Sequence, residues 1–137
     1  MRGPTPGFVV ALSWLQDNTP VDTIFAVSNH LANPSVTDGR YYSAFSERQV
    51  FLEAYNPNDY GLSNAPLPPP FEAFLHRVIL NDAVFVHADV TALRILTGQY
   101  GVRNLLIDRL HHNADPALLQ LGRIVSTNPD ATIVAVS

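Results

Sequence analysis

The stretch Tyr100-Gly101-Val102-Arg103-Asn104-Leu105-Leu106-Ile107-Asp108-Arg109-Leu110-His111-His112 constrains the fold more than any other part of this chain. Its apolar run, Asn104 to Ile107, is too short for a helix and lies between a glycine turn and a polar cluster, so it reads as a buried strand. A helical pattern ending near Gly98 to Gly101 precedes it, and Asp115-Pro116 opens another after it. Helix, strand, helix in that order points to an α/β domain. Open α/β sheets place their binding crevice beyond the carboxyl ends of the strands, which makes Asp108, Arg109 and His111 candidate binding residues.

The rest of the chain supplies partners for that strand. Phe8, Ala11, Leu12 and Leu15 recur at helical spacing and predict a helix over 8–17, stopped by Asn18-Thr19-Pro20. Residues 1–7 read as a linker. Thr23 to Ser28 is β-branched and aromatic and predicts a buried strand, with His30 just past its end. A second strand is expected over Arg40 to Phe45. Ser46-Glu47-Arg48-Gln49 matches a capping box, yet Val50 to Glu53 has strand composition, and a strand is the favoured reading. Residues 55–70 form a long loop rich in Pro and Asn, where Tyr55 and Tyr60 offer aromatic contact surface.

Phe71, Phe74, Leu75, Val78 and Ile79 form an amphipathic pattern whose apolar face is expected on the sheet. Asn81-Asp82 reads as the restart of a short turn over Ala83 to Val86, and Asp89 as the cap of a helix carrying Val90, Leu93 and Leu96. Beyond the central strand come a Pro-initiated helix over Pro116 to Leu121, a strand over Arg123 to Ser126, the turn Asn128-Pro129-Asp130, and a closing strand over Thr132 to Val136. The expected fold is one α/β domain over 8–137: a mixed central sheet flanked by helices, with a C-terminal β-hairpin.

Composition narrows function mainly by exclusion. A chain of 137 residues, 47% hydrophobic, can bury one core. A net charge of −4 gives no electrostatic footprint for nucleic acid. All 8 basic residues are Arg, which removes Schiff-base and P-loop lysine chemistry. Cysteine is absent, and with it disulfides, zinc-thiolate sites and a thiol nucleophile. No apolar run reaches the roughly 18 to 20 residues that a membrane-spanning helix needs. Adjacent His111 and His112, with His87 and Asp108, lack the spacing of metal ligands, so neither metal nor cofactor is expected.

Glu47 and Arg48 set a carboxylate beside a guanidinium, suited to a sugar hydroxyl or phosphate, and more readily to an internal ion pair holding a turn, which is the favoured of the two readings. Glu47, Glu53, Glu72 and Asp108 show no spacing that pairs them for glycoside hydrolysis. The nucleophile elbow Gly-x-Ser-x-Gly and the Gly-rich phosphate loop are both missing.

Four motifs follow one another in a familiar order. They are Trp14-Leu15-Gln16-Asp17-Asn18-Thr19-Pro20; Ser43 to Glu53 around Ser46-Glu47-Arg48; Tyr100-Gly101-Val102 with Leu105-Leu106-Ile107-Asp108-Arg109; and Leu121-Gly122-Arg123 through Asn128-Pro129-Asp130 to Ile133. Over roughly residues 10 to 136 this order resembles the soluble C-terminal domain of large multi-pass actinobacterial membrane proteins related to GT-C glycosyltransferases, which use polyprenyl-phosphate sugar donors.

The resemblance implies a domain on the extracytoplasmic side of the cell membrane, joined to the membrane portion of its own parent chain. Because the catalytic acids of that class lie in loops between membrane helices, it implies a noncatalytic accessory role. Such a domain contacts a carbohydrate or polyprenyl-phosphate sugar, or stabilises the membrane portion. Glu47-Arg48 and Asp108-Arg109 match family positions with no assigned role. Two other readings stay open: a stand-alone α/β sugar-active hydrolase using Asp108 and His111, and a protein-interaction module using the 55–70 loop.

Overall fold

The computed structural model describes residues 5–28, 46–51, 69–110 and 114–136. These form helix α1 (Pro6–Asn18), strands β1 (Ile24–Val27) and β2 (Gln49–Val50), helices α2 (Pro69–His87) and α3 (Val90–Gly98), strand β3 (Val102–Asp108), a 3-10 turn (Pro116–Gln120), and strands β4 (Arg123–Thr127) and β5 (Ala131–Ala135). The strands make one sheet in the order β2-β1-β3-β5-β4. β1 is parallel to both β2 and β3, whereas β3 with β5 and β5 with β4 are antiparallel. The mixed sheet and the C-terminal hairpin are therefore as the sequence predicts, and the fold is α/β.

Alternation along the strands divides the core between the two sheet faces. Phe25, Val27, Leu106, Ala131 and Ile133 point to one face and pack on Phe8, Ala11, Leu12 and Leu15 of α1. Ala26, Leu105, Ile107 and Val134 point to the other and pack on Leu80, Val84 and Phe85 of α2 and on Leu93 and Leu96 of α3. β3 is covered on both sides, which explains its unbroken apolar run.

Several boundaries differ from those read in the sequence. α1 begins at Pro6, so Pro6 and Gly7 belong to the helix and not to a linker. Proline fits a first helical turn because its fixed φ suits the helix and its missing N–H has no partner to lose there. α2 likewise takes in Pro69 and Pro70, which shortens the expected 55–70 loop. It also passes through Asn81 without a break, because that side chain donates to Val27 O at 3.1 Å instead of competing for its own backbone.

The packed face of α2 differs too. Leu75 and Ile79 are exposed, Ile79 by 60%, while Leu80, Val84 and Phe85 are buried; the side chains of Phe71 and Phe74 lie outside the described residues. From Val78 to Val86 this helix is apolar on nearly every side, so period alone does not select the face that meets the sheet. The Pro-initiated helix expected over Pro116 to Leu121 is a 3-10 helix, Pro116–Gln120, its Leu118 and Leu121 amides donating three residues back at 3.0 Å. The expected strand over 40–45, His30, Glu53 and residues 55–68 are outside the described residues.

Candidate functional site

The sheet places the two motif pairs at opposite ends. Gln49 pairs with Ile24 at the start of β1, so Glu47 and Arg48 lie at the amino end of the parallel strands. Asp108 closes β3 at the carboxyl end. The seven residues of β3 separate these ends by roughly 20 Å, and the pairs do not combine into one site.

At the amino end Arg48 is committed to the end of α1. Its Nη2 donates to Gln16 O at 2.6 Å and Thr19 O at 2.7 Å, its Nε to Thr19 Oγ1 at 3.1 Å, and its Nη1 to Glu47 O at 2.9 Å. The last carbonyls of a helix have no partner within it, and this guanidinium fork supplies one. Glu47, with φ at 53°, accepts from Gln16 Nε2 at 2.7 Å. The turn is held by charged side chains, as one sequence reading allowed, but through carbonyls and an amide and not through an Arg48 to Glu47 ion pair.

At the carboxyl end Asp108 is buried, 3% exposed, and its Oδ1 accepts from Leu110 N at 2.8 Å, closing an Asx turn. Its own amide donates to Ser28 Oγ at 2.8 Å, joining the ends of β1 and β3. Arg109 holds the hairpin: its amide donates to Asp130 O at 2.9 Å and its Nη1 to Asn128 O at 2.7 Å. Asn81 reaches the same strand ends from α2, fully buried, and its Oδ1 has no hydrogen-bond partner among the described residues. His111, Tyr55 and Tyr60 lie outside the described residues. No three His, Asp or Glu side chains converge as metal ligands among the described residues.

An open recess exists elsewhere. Ile24, Gln49, Phe51, Arg77, Gln99 and Tyr100 line a cavity of about 250 Å³ at the amino end of the sheet, on the face covered by α2 and α3. The rings of Phe51 and Tyr100 meet edge to face, centroids 5.0 Å apart and planes at 70°. Arg77 lies against both, its Cζ 5.2 Å from the Phe51 centroid and 5.1 Å from that of Tyr100. A second depression, of about 430 Å³, is lined by Thr19, Asp22, Gly101 and Arg103.

Sequence reasoning missed Arg77, Phe51 and Tyr100 as a group, although one signal was present. Arg77 precedes Asn81 by four residues and Val84 by seven, which puts it on the packed face of α2. Polar residues on a packed face are the informative ones, because burying them requires a reason. No helix among the described residues is long and apolar enough to cross a membrane. No family model matches the chain, and no curated protein matches it either.

Proposed function

We propose that this chain is a noncatalytic accessory domain of an extracytoplasmic, membrane-anchored glycosyltransferase-like protein. It acts by contacting a carbohydrate or polyprenyl-phosphate sugar, or by holding the membrane portion of its parent chain. The observation that carries this reading is the use made of the residues matching the family motifs. Arg48 binds three backbone carbonyls and a hydroxyl, Arg109 binds a hairpin carbonyl, and Asp108 caps its own turn. Such residues maintain shape, and a group held by its neighbours in this way is poorly placed to exchange protons with a substrate.

The test compares turnover of a polyprenyl-phosphate sugar donor by the isolated domain and by a parent chain carrying membrane spans. The expected result is turnover by the parent alone, with Arg48→Ala and Arg109→Ala lowering the amount of folded parent rather than turnover per folded molecule. Turnover by the isolated domain overturns the reading.

A further inference from the structure

Arg77 carries a charge that no described carboxylate answers. It is half-buried on the middle of α2, between a strand end and the segment entering β3. Among the described residues its one hydrogen bond is a long one, Nη1 to Phe51 O at 3.3 Å, and no described carboxylate pairs with it. The remaining donors of the guanidinium fork have no partner among the described residues. Contact with the Phe51 and Tyr100 rings stabilises the cation without using those donors.

None of the described residues lining the cavity is acidic, and two of them, Gln49 and Gln99, are exposed. A guanidinium lying against two aromatic rings, stripped of part of its water and facing an open recess, suits an anion that presents two adjacent oxygens. The volume, about 250 Å³, falls below that of a site for a drug-sized ligand and suits a group of monosaccharide size or smaller.

We infer that the Arg77 recess is a binding site for a small carboxylate or phosphate ligand, held bidentately by Arg77 with Gln49 and Gln99 contacting the body that bears the charge. This site shares the amino end of the sheet with Arg48, whose donors are committed to α1, and lies at the opposite end from the Asp108-Arg109 pair; it needs no membrane parent.

The experiment titrates the whole chain with inorganic phosphate, glucose 1-phosphate and glucuronate, using neutral glucose for comparison. The readouts are calorimetry and the NMR signal of the arginine Nε–H groups. Saturable binding of an anion, with no response to glucose, is expected, and which anion binds separates the phosphate from the carboxylate source. Arg77→Gln should weaken that binding by about tenfold or more, while Arg123→Gln, which removes the same charge from exposed strand β4, should leave it unchanged.

Gln99→Glu, at an exposed position, places a carboxylate at the mouth of the recess and should also weaken binding by about tenfold, which keeps the test decisive where Arg77→Gln impairs folding. No saturable response to any of the anions, an equal response to glucose, unchanged affinity in a folded Arg77→Gln, or unchanged affinity in Gln99→Glu overturns the proposal.

Discussion

Arg48 and Thr19 are joined twice, Nε to the hydroxyl at 3.1 Å and Nη2 to the carbonyl at 2.7 Å, so a residue entering β2 closes the helix that precedes β1. Thr19 itself turns its hydroxyl back to Leu15 O, completing the cap. Replacing Arg48 by Ala leaves these carbonyls without their charged donor and should lower the unfolding free energy by about 2 kcal/mol. Arg48→Lys should recover less than half of the loss, because an ammonium cannot reproduce the planar fork. Urea denaturation of both variants checks the order.

Gly7 reverses the usual expectation for a helix. Within a helix, Gly→Ala ordinarily stabilises by about 1 kcal/mol. Here a Cβ on Gly7 would stand 2.3 Å from Asp130 Oδ2 and 2.5 Å from Asn128 Oδ1. The same Asp130 carboxylate accepts from Gly7 N at 2.8 Å and from Thr5 Oγ1 at 2.7 Å. Gly7→Ala should therefore destabilise, by about 1 to 3 kcal/mol, as α1 is pushed off the hairpin. A thermal midpoint equal to or above that of the unaltered chain would contradict this account.

Asn81 offers a pH-dependent test. Its Nδ2 donates to Val27 O inside the core. In Asn81→Asp only a protonated carboxyl can make that bond, and burial disfavours the charged form, so the folded-state pKa of the introduced group rises above its unfolded value. Whatever stability the variant retains is then greatest below about pH 4 and falls as pH rises through the raised folded-state value. The deficit relative to the unaltered chain should approach about 3 kcal/mol at neutral pH. Denaturation curves for both proteins across that range measure it; a deficit independent of pH would show that Asn81 is wetter than its burial indicates.

Asp108 separates shape from chemistry. Its Oδ1 serves Leu110 N, and an asparagine keeps an acceptor at that place. Asp108→Ala should cost about 1 to 2 kcal/mol and Asp108→Asn less than half of that. Anion binding at Arg77, at the other end of β3, should be the same in both folded variants.

Much of this architecture was legible because local signals agreed with the fold. The apolar run of β3, the Asp89 cap accepting from Ala92 N at 3.0 Å, and the Asn128-Pro129-Asp130 turn all depend on a few neighbouring residues. What stayed hidden depends on partners distant in the chain. The packed face of α2 is settled by Leu80, Asn81 and Val84 meeting the sheet, and the start of α1 by Asp130 reaching back to Thr5. The candidate site divides in the same way. Arg48 and Arg109 looked available while only their neighbours in sequence were known, and Arg77 with Tyr100 became a pair only once α2 lay against the entry to β3.

The bonds from Thr5 and Gly7 to Asp130 bridge separations of 125 and 123 residues. A first helix anchored to the last hairpin adds contacts of very high sequence separation, since its apolar stripe, packed also on β1 and β3, is fully covered only when Ala131 and Ile133 of the hairpin reach it. During synthesis α1 emerges long before β5 can receive it. Its final docking is therefore a late event, which follows emergence of the hairpin rather than the order in which the helices are made.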